Sequence, residues 1–414
     1  MGDNEERASP QGRLLWIDAL RGWTLVTIAL VHFSEQFLGD LPPAAKAGYA
    51  SQGGVDALVE GLLFFFVRGK GFLMFSFLFG VSFWLQMAHR GEGYWRRFLW
   101  RLTILLGLGY GHTLLYRGDI LIVYAALGFP FVFFRRLPDR ALWTIAALLF
   151  FGLPRVLLVA LSSSPQGDEI AAAGDRDQAR AVAHWEALEE GDVPRILYQN
   201  GTEGLASKTR FQVGLVGRGY QTFAMFLIGL SLARAGRLEV SEFNRSFWFR
   251  VRRNFGLATL LTPLIGFGAL AALRALTGPP EAGTGMDLRS THGMAGIAFY
   301  DIWNAVMTLF YVGLFYWLVQ RGFWRRLLLS LQPIGKMALT CYVTQSVAGL
   351  LVFSGLGLGQ LGKLGSAGSV GVCFLVVLVQ LVACRWWLAR FCYGPLEWIW
   401  RSLTQWRWAP LTRR

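Results

Sequence analysis

The chain has 414 residues, of which 54% are hydrophobic and only 16% are charged, against roughly 25% charged residues in an average soluble domain. This composition argues against a soluble catalytic domain, and its many apolar runs of about 20 residues indicate membrane-spanning helices. The formal net charge of +14 comes mainly from arginines in short clusters between these runs, a pattern typical of cytoplasmic loops and not of a protein that binds nucleic acid.

The apolar runs predict an all-α, polytopic integral membrane protein with about ten transmembrane helices. The predicted spans are 14–37, 57–88, 98–116, 119–135, 141–162, 212–233, 254–276, 293–319, 334–354 and 367–391. The second run is longer than a bilayer requires, so an outer segment over 57–67 before a span over 71–88 is its alternative. The domains are a polar N-terminus (1–13), five helices (14–162), a loop (163–211), five more helices (212–400) and a basic tail (401–414).

Arginine clusters alternate along the predicted loops. They follow each even-numbered span, whereas the gaps after the first and ninth spans carry only Lys46 and Lys363. Because positive charge marks the cytoplasmic side, we predict a multi-pass chain with both termini inside and the lipid bilayer as its first partner. The acidic loop 163–211 then faces outward, either as a cap on an entrance or as a solvated linker. Residues 175–190 within it predict a short amphipathic surface helix.

The first span carries three ionisable residues, which are costly inside a bilayer and are therefore candidates for function. Asp18 and Arg21 share a helix face, and His32 follows Arg21 on that face after close to three turns. At about 1.5 Å per residue, His32 lies roughly 16 Å from Arg21 along the helix. A face that is polar at both ends and apolar between them is typical of a tunnel lining. The alternatives are a structural Asp18–Arg21 ion pair and a hydrogen-bonded His32 at the interface.

The second span carries two cations, Arg68 and Lys70, just before FLMFSFLFGVSFW and at the depth of the outer side of the membrane. They indicate a site for an anion or a carboxylate. The alternative is that both side chains extend to the lipid headgroups, because long basic side chains can keep their charge in water while their stems lie in the bilayer.

His112 and Asp119 flank an Arg117-Gly118 turn between the third and fourth spans. A histidine near a carboxylate is typical of a general base with its orienting partner. The alternative is that Asp119 only caps the fourth helix.

The last five spans add further polar candidates. The eighth span opens with His292 and carries Asp301 and Asn304, the ninth carries Gln345, and Glu397 follows the tenth. His89 and His184 are interpreted as peripheral. The four cysteines show neither the spacing of a zinc site nor that of a disulfide framework.

Five segments in order resemble the YeiB-like family of bacterial membrane proteins, long catalogued as a domain of unknown function. They are IDALRGW (17–23), GKGFLMFSFLFGVSF (69–83), GHTLLYRGDILIVYAALG (111–128), IGKMALTCYVTQS (334–346) and RFCYGPLEWIWRSLT (390–404). The resemblance runs from about residue 13 to 404 and implies the bacterial cytoplasmic (inner) membrane as the location.

The YeiB-like family is similar in its first span to the transmembrane acyltransferases of the acyltransferase-3 and heparan-glucosaminide acetyltransferase types. In acyltransferase-3 proteins an Asp-x-x-Arg is followed by a histidine fourteen residues after the aspartate. Asp18, Arg21 and His32 reproduce that spacing, whereas YeiB-like proteins more often carry asparagine at the third position. The acyltransferase-3 R-x-x-R loop motif is not clearly matched, because Arg96 and Arg97 differ in spacing.

This resemblance implies a transmembrane-acyltransferase-like bundle without a permanently bound cofactor or metal. Acyl-CoA, for instance acetyl-CoA, is the expected co-substrate, and the acceptor is a hydroxyl or amine of an extracytoplasmic glycan, lipid or metabolite. His32 is the favoured general base, with His112 and its partner Asp119 as the second choice. Arg96, Arg97 and Arg101 are expected to hold the CoA phosphates. The expected substrate contacts are Asp18, Arg21, Arg68, Lys70, His292, Asp301 and Gln345.

Two other functions remain open from the sequence. One is a transporter or exporter of a small metabolite or lipid that uses the same buried polar residues. The other is a membrane partner without chemistry of its own. A homodimer is an expectation for any of the three.

Overall fold

The computed structural model describes residues 15–38, 53–91, 93–162, 167–278 and 288–412, so the predicted polar N-terminus lies outside the described residues. The described part is all-helical, as predicted, and contains no β-strand. Its α-helices are α1 (Leu15–Ser34), α2 (Gly54–Phe66), α3 (Lys70–Arg90), α4 (Tyr94–Leu115), α5 (Leu121–Phe131), α6 (Asp139–Phe150), α7 (Leu153–Leu161), α8 (Gly167–Glu190), α9 (Val193–Gln199), α10 (Leu205–Val213), α11 (Arg218–Arg234), α12 (Glu242–Thr277), α13 (Thr291–Leu318), α14 (Gly322–Leu329), α15 (Gln332–Lys336), α16 (Ala338–Phe353), α17 (Ser366–Arg390) and α18 (Pro395–Gln405).

Several helices are long and apolar enough to cross a membrane. Among the described residues these are Gly54–Arg90, Glu242–Thr277, Thr291–Leu318 and Ser366–Arg390. Two bent pairs raise the number from four to six: α6 with α7, bent by 57°, and Val193–Val213 with α11, bent by 59°. The total of ten spans and the orientation of the termini stay predictions.

The second predicted run forms two helices that meet at Gly69, which confirms the break foreseen between 57–67 and 71–88. Gly69 has a φ of 86°, a left-handed conformation that favours glycine. A Cβ atom at this position would also lie 2.6 Å from the side-chain oxygen of Asn304. The turn therefore brings α3 close to α13 at the level where the second span begins.

Helix α1 lies between two hydrophobic clusters. Its first half, from Trp16 to Leu20, belongs to the cluster formed mainly by α3, α6, α11 and α13. Its second half, from Leu25 onward, belongs to the cluster formed by α16, α17 and the loop 163–211. The predicted polar face of α1 is therefore placed at the centre of the bundle, where two packing units meet.

Close approach of α1 to α15 depends on Gly335. A Cβ atom there would lie 1.8 Å from the backbone oxygen of Asp18. We expect Gly335→Ala to destabilise the protein by about 1–3 kcal/mol, as overpacking of a tight contact does. The measurement is thermal unfolding in detergent.

Gly107→Ala is the matched control, because a Cβ atom at Gly107 in α4 meets no atom within 4 Å. Alanine is favoured over glycine in a helix by up to ~1 kcal/mol, so this variant should be as stable as the wild type or more so. Equal unfolding temperatures for the two variants would contradict the close contact at Gly335.

The loop 163–211, predicted to face outward, is folded and docked, not a solvated linker, where it is described. The helix predicted over 175–190 is confirmed and begins earlier, at Gly167. The Asn200 side chain donates to the Leu114 oxygen at 3.0 Å, and Lys208 Nζ donates to Thr113 Oγ1 at 2.9 Å. The loop thus covers the end of α4.

The glycine-rich stretch 354–371 consists of turns followed by the start of a helix. This helix, α17, begins at Ser366. The Gly355 N–H donates to the Leu188 oxygen at 2.8 Å, which joins these turns to α8 of the loop 163–211.

Candidate functional site

Two cavities follow one face of α1. The first, the Arg21 cavity, has a volume of about 310 Å³ and is lined by Arg21, Leu25 and Ile28 of this helix. The second, the His32 cavity, has a volume of about 220 Å³ and is lined by Thr27, Ile28, Val31, His32 and Glu35. Both cavities are also lined by Ile120, so Ile28 and Ile120 stand where they adjoin. The face predicted as a tunnel lining is therefore bordered by open space at both of its polar ends.

The Arg21 cavity has a basic end and an apolar body. Arg21 donates to Asp18 at 2.8 Å and to Ser82 Oγ at 3.1 Å. Arg101 donates to Gln86 Oε1 at 2.7 Å and stacks on the Trp400 ring at 4.3 Å. The other lining residues include Lys336 and Glu397, and the apolar ones are Leu25, Ile28, Phe75, Leu78, Phe79, Phe98, Leu102, Leu105, Ile120, Leu121, Ala338 and Leu339. Such a chamber suits a ligand with an anionic end and a less polar chain.

Glu397 closes this cavity on the side of α16. Its carboxylate accepts from the Leu339 N–H at 2.6 Å, the Thr340 N–H at 3.1 Å and the Thr340 hydroxyl at 2.6 Å. Burial raises the pKa of Glu397, and these hydrogen bonds act in the opposite direction. The carboxylate stabilises the first turn of α16, because it satisfies backbone N–H groups that have no partner within the helix.

His32 and His112 lie close together around two tyrosines. The Tyr116 ring centroid is 5.1 Å from that of His32 and 6.2 Å from that of His112. The Tyr342 ring is 6.1 Å from His32 and 5.1 Å from His112. His32 is half-buried and lines the His32 cavity, whereas His112 is buried behind the tyrosines and lines neither cavity. The structure thus brings the two predicted bases into one site but gives only His32 access to the cavity.

The His112–Asp119 pair is formed as predicted. His112 Nδ1 lies 2.6 Å from Asp119 Oδ1, and both side chains are almost completely buried. His112 Nε2 is buried without a hydrogen-bond partner among the described residues. Asp119 also accepts from the Leu121 and Ile122 N–H groups at 3.1 and 3.0 Å, so it orients the imidazole and caps α5 at once. The two interpretations of this motif are compatible.

Arg68 stands at the mouth of the His32 cavity and is ion-paired. Its guanidinium is 2.7 Å from Glu60 and 3.6 Å from Glu35. Because Glu35 follows His32 by three residues, this ion pair links α1 to the end of α2. Arg68 therefore lines the cavity with its charge already balanced by two carboxylates, and its predicted role in holding an anion stays a prediction.

The last residue of the loop, Phe211, also lines the His32 cavity, together with the next residue, Gln212. Earlier in the loop, His184 is 2% exposed and its Nδ1 lies 3.3 Å from Gln199 Oε1. Burial, with a smaller contribution from Arg117, lowers the pKa of His184 to about 3. This histidine, interpreted from the sequence as peripheral, is a neutral residue packed inside the loop 163–211.

We expect a fall in pH to destabilise the folded loop 163–211 through protonation of His184. The unfolded chain binds a proton below the ordinary pKa of about 6.5, whereas the folded protein binds it only near pH 3. Stability is therefore lost as the pH falls from about 6.5 towards 3, by about 2 kcal/mol at pH 5 relative to neutral pH. The measurement is the unfolding temperature at pH 7.5 and pH 5. His184→Gln, which does not titrate, should lose clearly less between these pH values, and an equal loss would contradict the prediction.

Three of the residues predicted as substrate contacts form their hydrogen bonds away from both cavities. Lys70 is fully buried, with Nζ 3.2 Å from the Phe64 oxygen. Gln345 donates to Gln380 at 3.0 Å, and His292 Nε2 lies 3.3 Å from Thr277 Oγ1. None of the three lines the Arg21 or the His32 cavity. Residues on other helices contact these polar groups. Spacing along one helix does not reveal such partners.

Asp301 is also buried away from both cavities. It is ion-paired to Arg155 and accepts from Gln221, while a second hydrogen bond joins Arg155 to the Val216 oxygen at 2.7 Å. Sequence analysis missed Arg155. A cation inside the apolar run LPRVLLVAL is a signal that could have found it.

The three arginines expected to hold phosphates differ in their exposure and in whether they line a cavity. Arg101 lines the Arg21 cavity, whereas Arg96 and Arg97 are exposed at the start of α4 and line neither cavity. The sequence also missed two cations that do line a cavity: Lys336 in the Arg21 cavity and Arg218 in the His32 cavity. Both stand at helix ends, where a basic residue is ordinary.

The chain is similar to a protein family and to several proteins of bacteria. A family model described as "Protein of unknown function (DUF418)" matches residues 232–407. "Uncharacterized protein YxaH" of Bacillus subtilis (strain 168) is 30% identical over 96% of both chains. "Uncharacterized protein YeiB" of Escherichia coli (strain K12) is 28% identical over 95% of this chain and 96% of its own. "Uncharacterized 39.9 kDa protein in amylase 3'region" of Bacillus acidopullulyticus is 26% identical over 96% of both chains. No solved structure matches the chain.

Proposed function

The chain belongs to the YeiB-like (DUF418) family of proteins of unknown function, and on that premise we propose that it is a membrane-embedded acyltransferase. It moves an acyl group from cytoplasmic acyl-CoA to a hydroxyl or amine of an extracytoplasmic glycan, lipid or metabolite. The observation that carries this proposal is the pair of cavities along α1, with Arg21 in one, His32 in the other, and Ile28 and Ile120 shared between them.

The Arg21 cavity supports binding of the donor. Arg21, Arg101 and Lys336 supply positive charge at a cavity whose remaining lining is largely apolar. Guanidinium groups bind phosphate through two parallel N–H donors, which suits the anionic end of CoA. Arg96 and Arg97 are exposed one turn before Arg101, where they would meet the nucleotide outside the cavity. The thioester end would then point along α1 towards Ile28.

The His32 cavity supports the transfer step. Neutral His32 removes the proton from the acceptor hydroxyl, and the oxygen attacks the thioester carbonyl. The tetrahedral intermediate expels the CoA thiolate as the C–S bond breaks, and the imidazolium returns the proton to that sulfur. His112 lies behind the tyrosines and is oriented by Asp119, so in this proposal it positions Tyr116 and Tyr342 around the base.

The proposal includes ten membrane crossings, with both termini in the cytoplasm of a bacterium. It is supported by the alternation of arginine clusters and by a helix at each predicted span. In this orientation Arg21 lies towards the cytoplasmic donor and His32 towards the extracytoplasmic acceptor.

The experiment is a transfer assay on the full chain in phospholipid nanodiscs. Acetyl-CoA with a labelled acetyl group is supplied together with an extract of bacterial envelope lipids and glycans. We expect the label to move into the extract and free CoA thiol to appear in equal amount, with protein-free nanodiscs as control. Failure of every extract fraction, with acetyl-CoA and with longer acyl-CoAs, would reject the proposal. Flux of a solute from liposomes without any CoA would favour a transporter instead.

A further inference from the structure

Positive charge exceeds negative charge where α3, α7, α11 and α13 meet beside the His32 cavity. Three basic side chains lie there, and Asp301 is the carboxylate among them. Arg218 lines the cavity, whereas Lys70 and Arg155 are 0% and 2% exposed. Arg218 is close enough to both Lys70 and Asp301 for their charges to interact. The group therefore forms one electrostatic unit.

Asp301 is already occupied by Arg155, with which it forms a buried ion pair. Even so, two nitrogens of Arg155, Nε and Nη1, are buried without a hydrogen-bond partner in the described part of the chain. A buried donor that stays unpaired costs free energy. Two donors of this unit therefore lack an acceptor among the described residues.

Lys70 and Arg218 have only neutral partners. Lys70 Nζ bonds to the Phe64 oxygen and lies 4.1 Å above the Trp303 ring. Within residues 15–412, excluding the undescribed gaps, neither cation is ion-paired.

Arg218 makes one weak hydrogen bond, to Gln221 Oε1 at 3.4 Å. Its guanidinium packs against the rings of Phe72 at 5.2 Å and Tyr300 at 5.6 Å. These ring contacts position the planar group without neutralising it. Its donors stay available to a ligand in the cavity.

The carboxylates that line the His32 cavity are engaged elsewhere. Glu35 lies 3.6 Å from Arg68, and Asp119 bonds to His112. The cavity thus holds a base, His32, together with Arg218, a cation that forms no ion pair among the described residues.

We propose that the acceptor carries a phosphate group, which binds at Arg218 with Lys70 and Arg155 behind it. The inference rests on the proposed function, because it treats the His32 cavity as the acceptor site. Within the described ranges Lys70 is buried without an ion pair, which is unfavourable for a charge, and a phosphate that enters gains two charge-assisted contacts at the planar, half-buried guanidinium of Arg218. The phosphate then holds the acceptor while its hydroxyl or amine meets His32. Either a lipid headgroup or a phosphorylated soluble glycan has this chemistry.

The test measures binding without catalysis. The full chain in phosphatidylcholine nanodiscs is titrated with inorganic phosphate at constant ionic strength, and its unfolding temperature is followed by tryptophan fluorescence. We expect phosphate to stabilise the wild type and Arg218→Gln to weaken the apparent Kd at least about tenfold, or ~1.4 kcal/mol. Arg218→Lys, which keeps the charge, should bind with intermediate affinity. Arg176→Gln removes an exposed cation of the loop 163–211 and should bind as the wild type does.

A second arm replaces about one fifth of the phosphatidylcholine by phosphatidylglycerol. Arg218-dependent stabilisation by this lipid, without a response to inorganic phosphate, assigns the phosphate to a lipid headgroup. A response to inorganic phosphate assigns it to a soluble acceptor. No stabilisation by either probe, or equal stabilisation of wild type and Arg218→Gln, overturns the inference. Because neither arm needs acyl-CoA or His32, a failed transfer assay with intact Arg218-dependent binding rejects the proposed function alone.

Discussion

Replacing His32 by alanine is expected to lower the rate of acyl transfer by about 10²–10⁴-fold, the range that a general base contributes. His32 is the imidazole that lines the His32 cavity, whereas His112 is buried behind Tyr116 and Tyr342. The alanine variant leaves the acceptor proton without a base. The rate is measured as release of CoA thiol with saturating donor, so that a loss of donor binding is not mistaken for a loss of chemistry.

The matched control is His89→Ala. His89 is exposed at the end of α3, where its Nδ1 lies 2.7 Å from the Leu85 oxygen, and its loss should leave the rate unchanged. His112→Ala should lower the rate less than His32→Ala does, because His112 acts on the tyrosines around the base. A large loss in His112→Ala with a small loss in His32→Ala would reverse the two roles. Full activity in both variants would reject the mechanism.

Removal of the Asp301 carboxylate is expected to cost about 3–5 kcal/mol of stability, as does breaking any buried ion pair. Asp301→Ala leaves the Arg155 guanidinium buried with the Val216 oxygen as its remaining acceptor. It also removes the acceptor of the Gln221 amide. The measurement is thermal unfolding in detergent, followed by size-exclusion chromatography to detect aggregation.

Two further variants separate charge from packing. Asp177→Ala removes a carboxylate from exposed ion pairs with Arg180 and Arg210, and such pairs contribute only about 0–1 kcal/mol. The double variant Arg155→Met/Asp301→Leu removes both buried charges and should be more stable than Asp301→Ala alone. A double variant that is less stable than Asp301→Ala would show that packing, not the lone charge, dominates.

Most of the helical architecture was predictable from apolar length and charge. A helix is present at each predicted span, because about 20 apolar residues in sequence are a local property that does not depend on partners. The breaks were harder to predict. Only the one at Gly69 was foreseen, whereas the bends after Phe150 and before Arg218 were not. Glycine marks all three places, but glycine is common throughout this chain.

The candidate site was predictable where its residues share one helix or one turn. Spacing alone related Arg21 to His32 on one face of α1, and each lines a cavity, whereas Asp18 on the same face lines neither. Spacing also related His112 to Asp119 across one short turn, although only Asp119 lines a cavity. Lys70, Asp301 and Gln345 looked equally promising, since each is a polar group in an apolar run. The structure places all three outside both cavities, because Trp303, Arg155 and Gln380 come from other helices to meet them.

Residue composition and a period of 3.6 residues predicted an all-helical chain of apolar segments with a polar face on its first helix, because both properties are local. Packing between helices established three further features: this face borders two adjoining cavities, His32 and not His112 lines one of them, and Arg218 faces the same space. Spacing along the chain does not contain these features, because access and charge balance depend on which side chains of distant segments arrive at the same point.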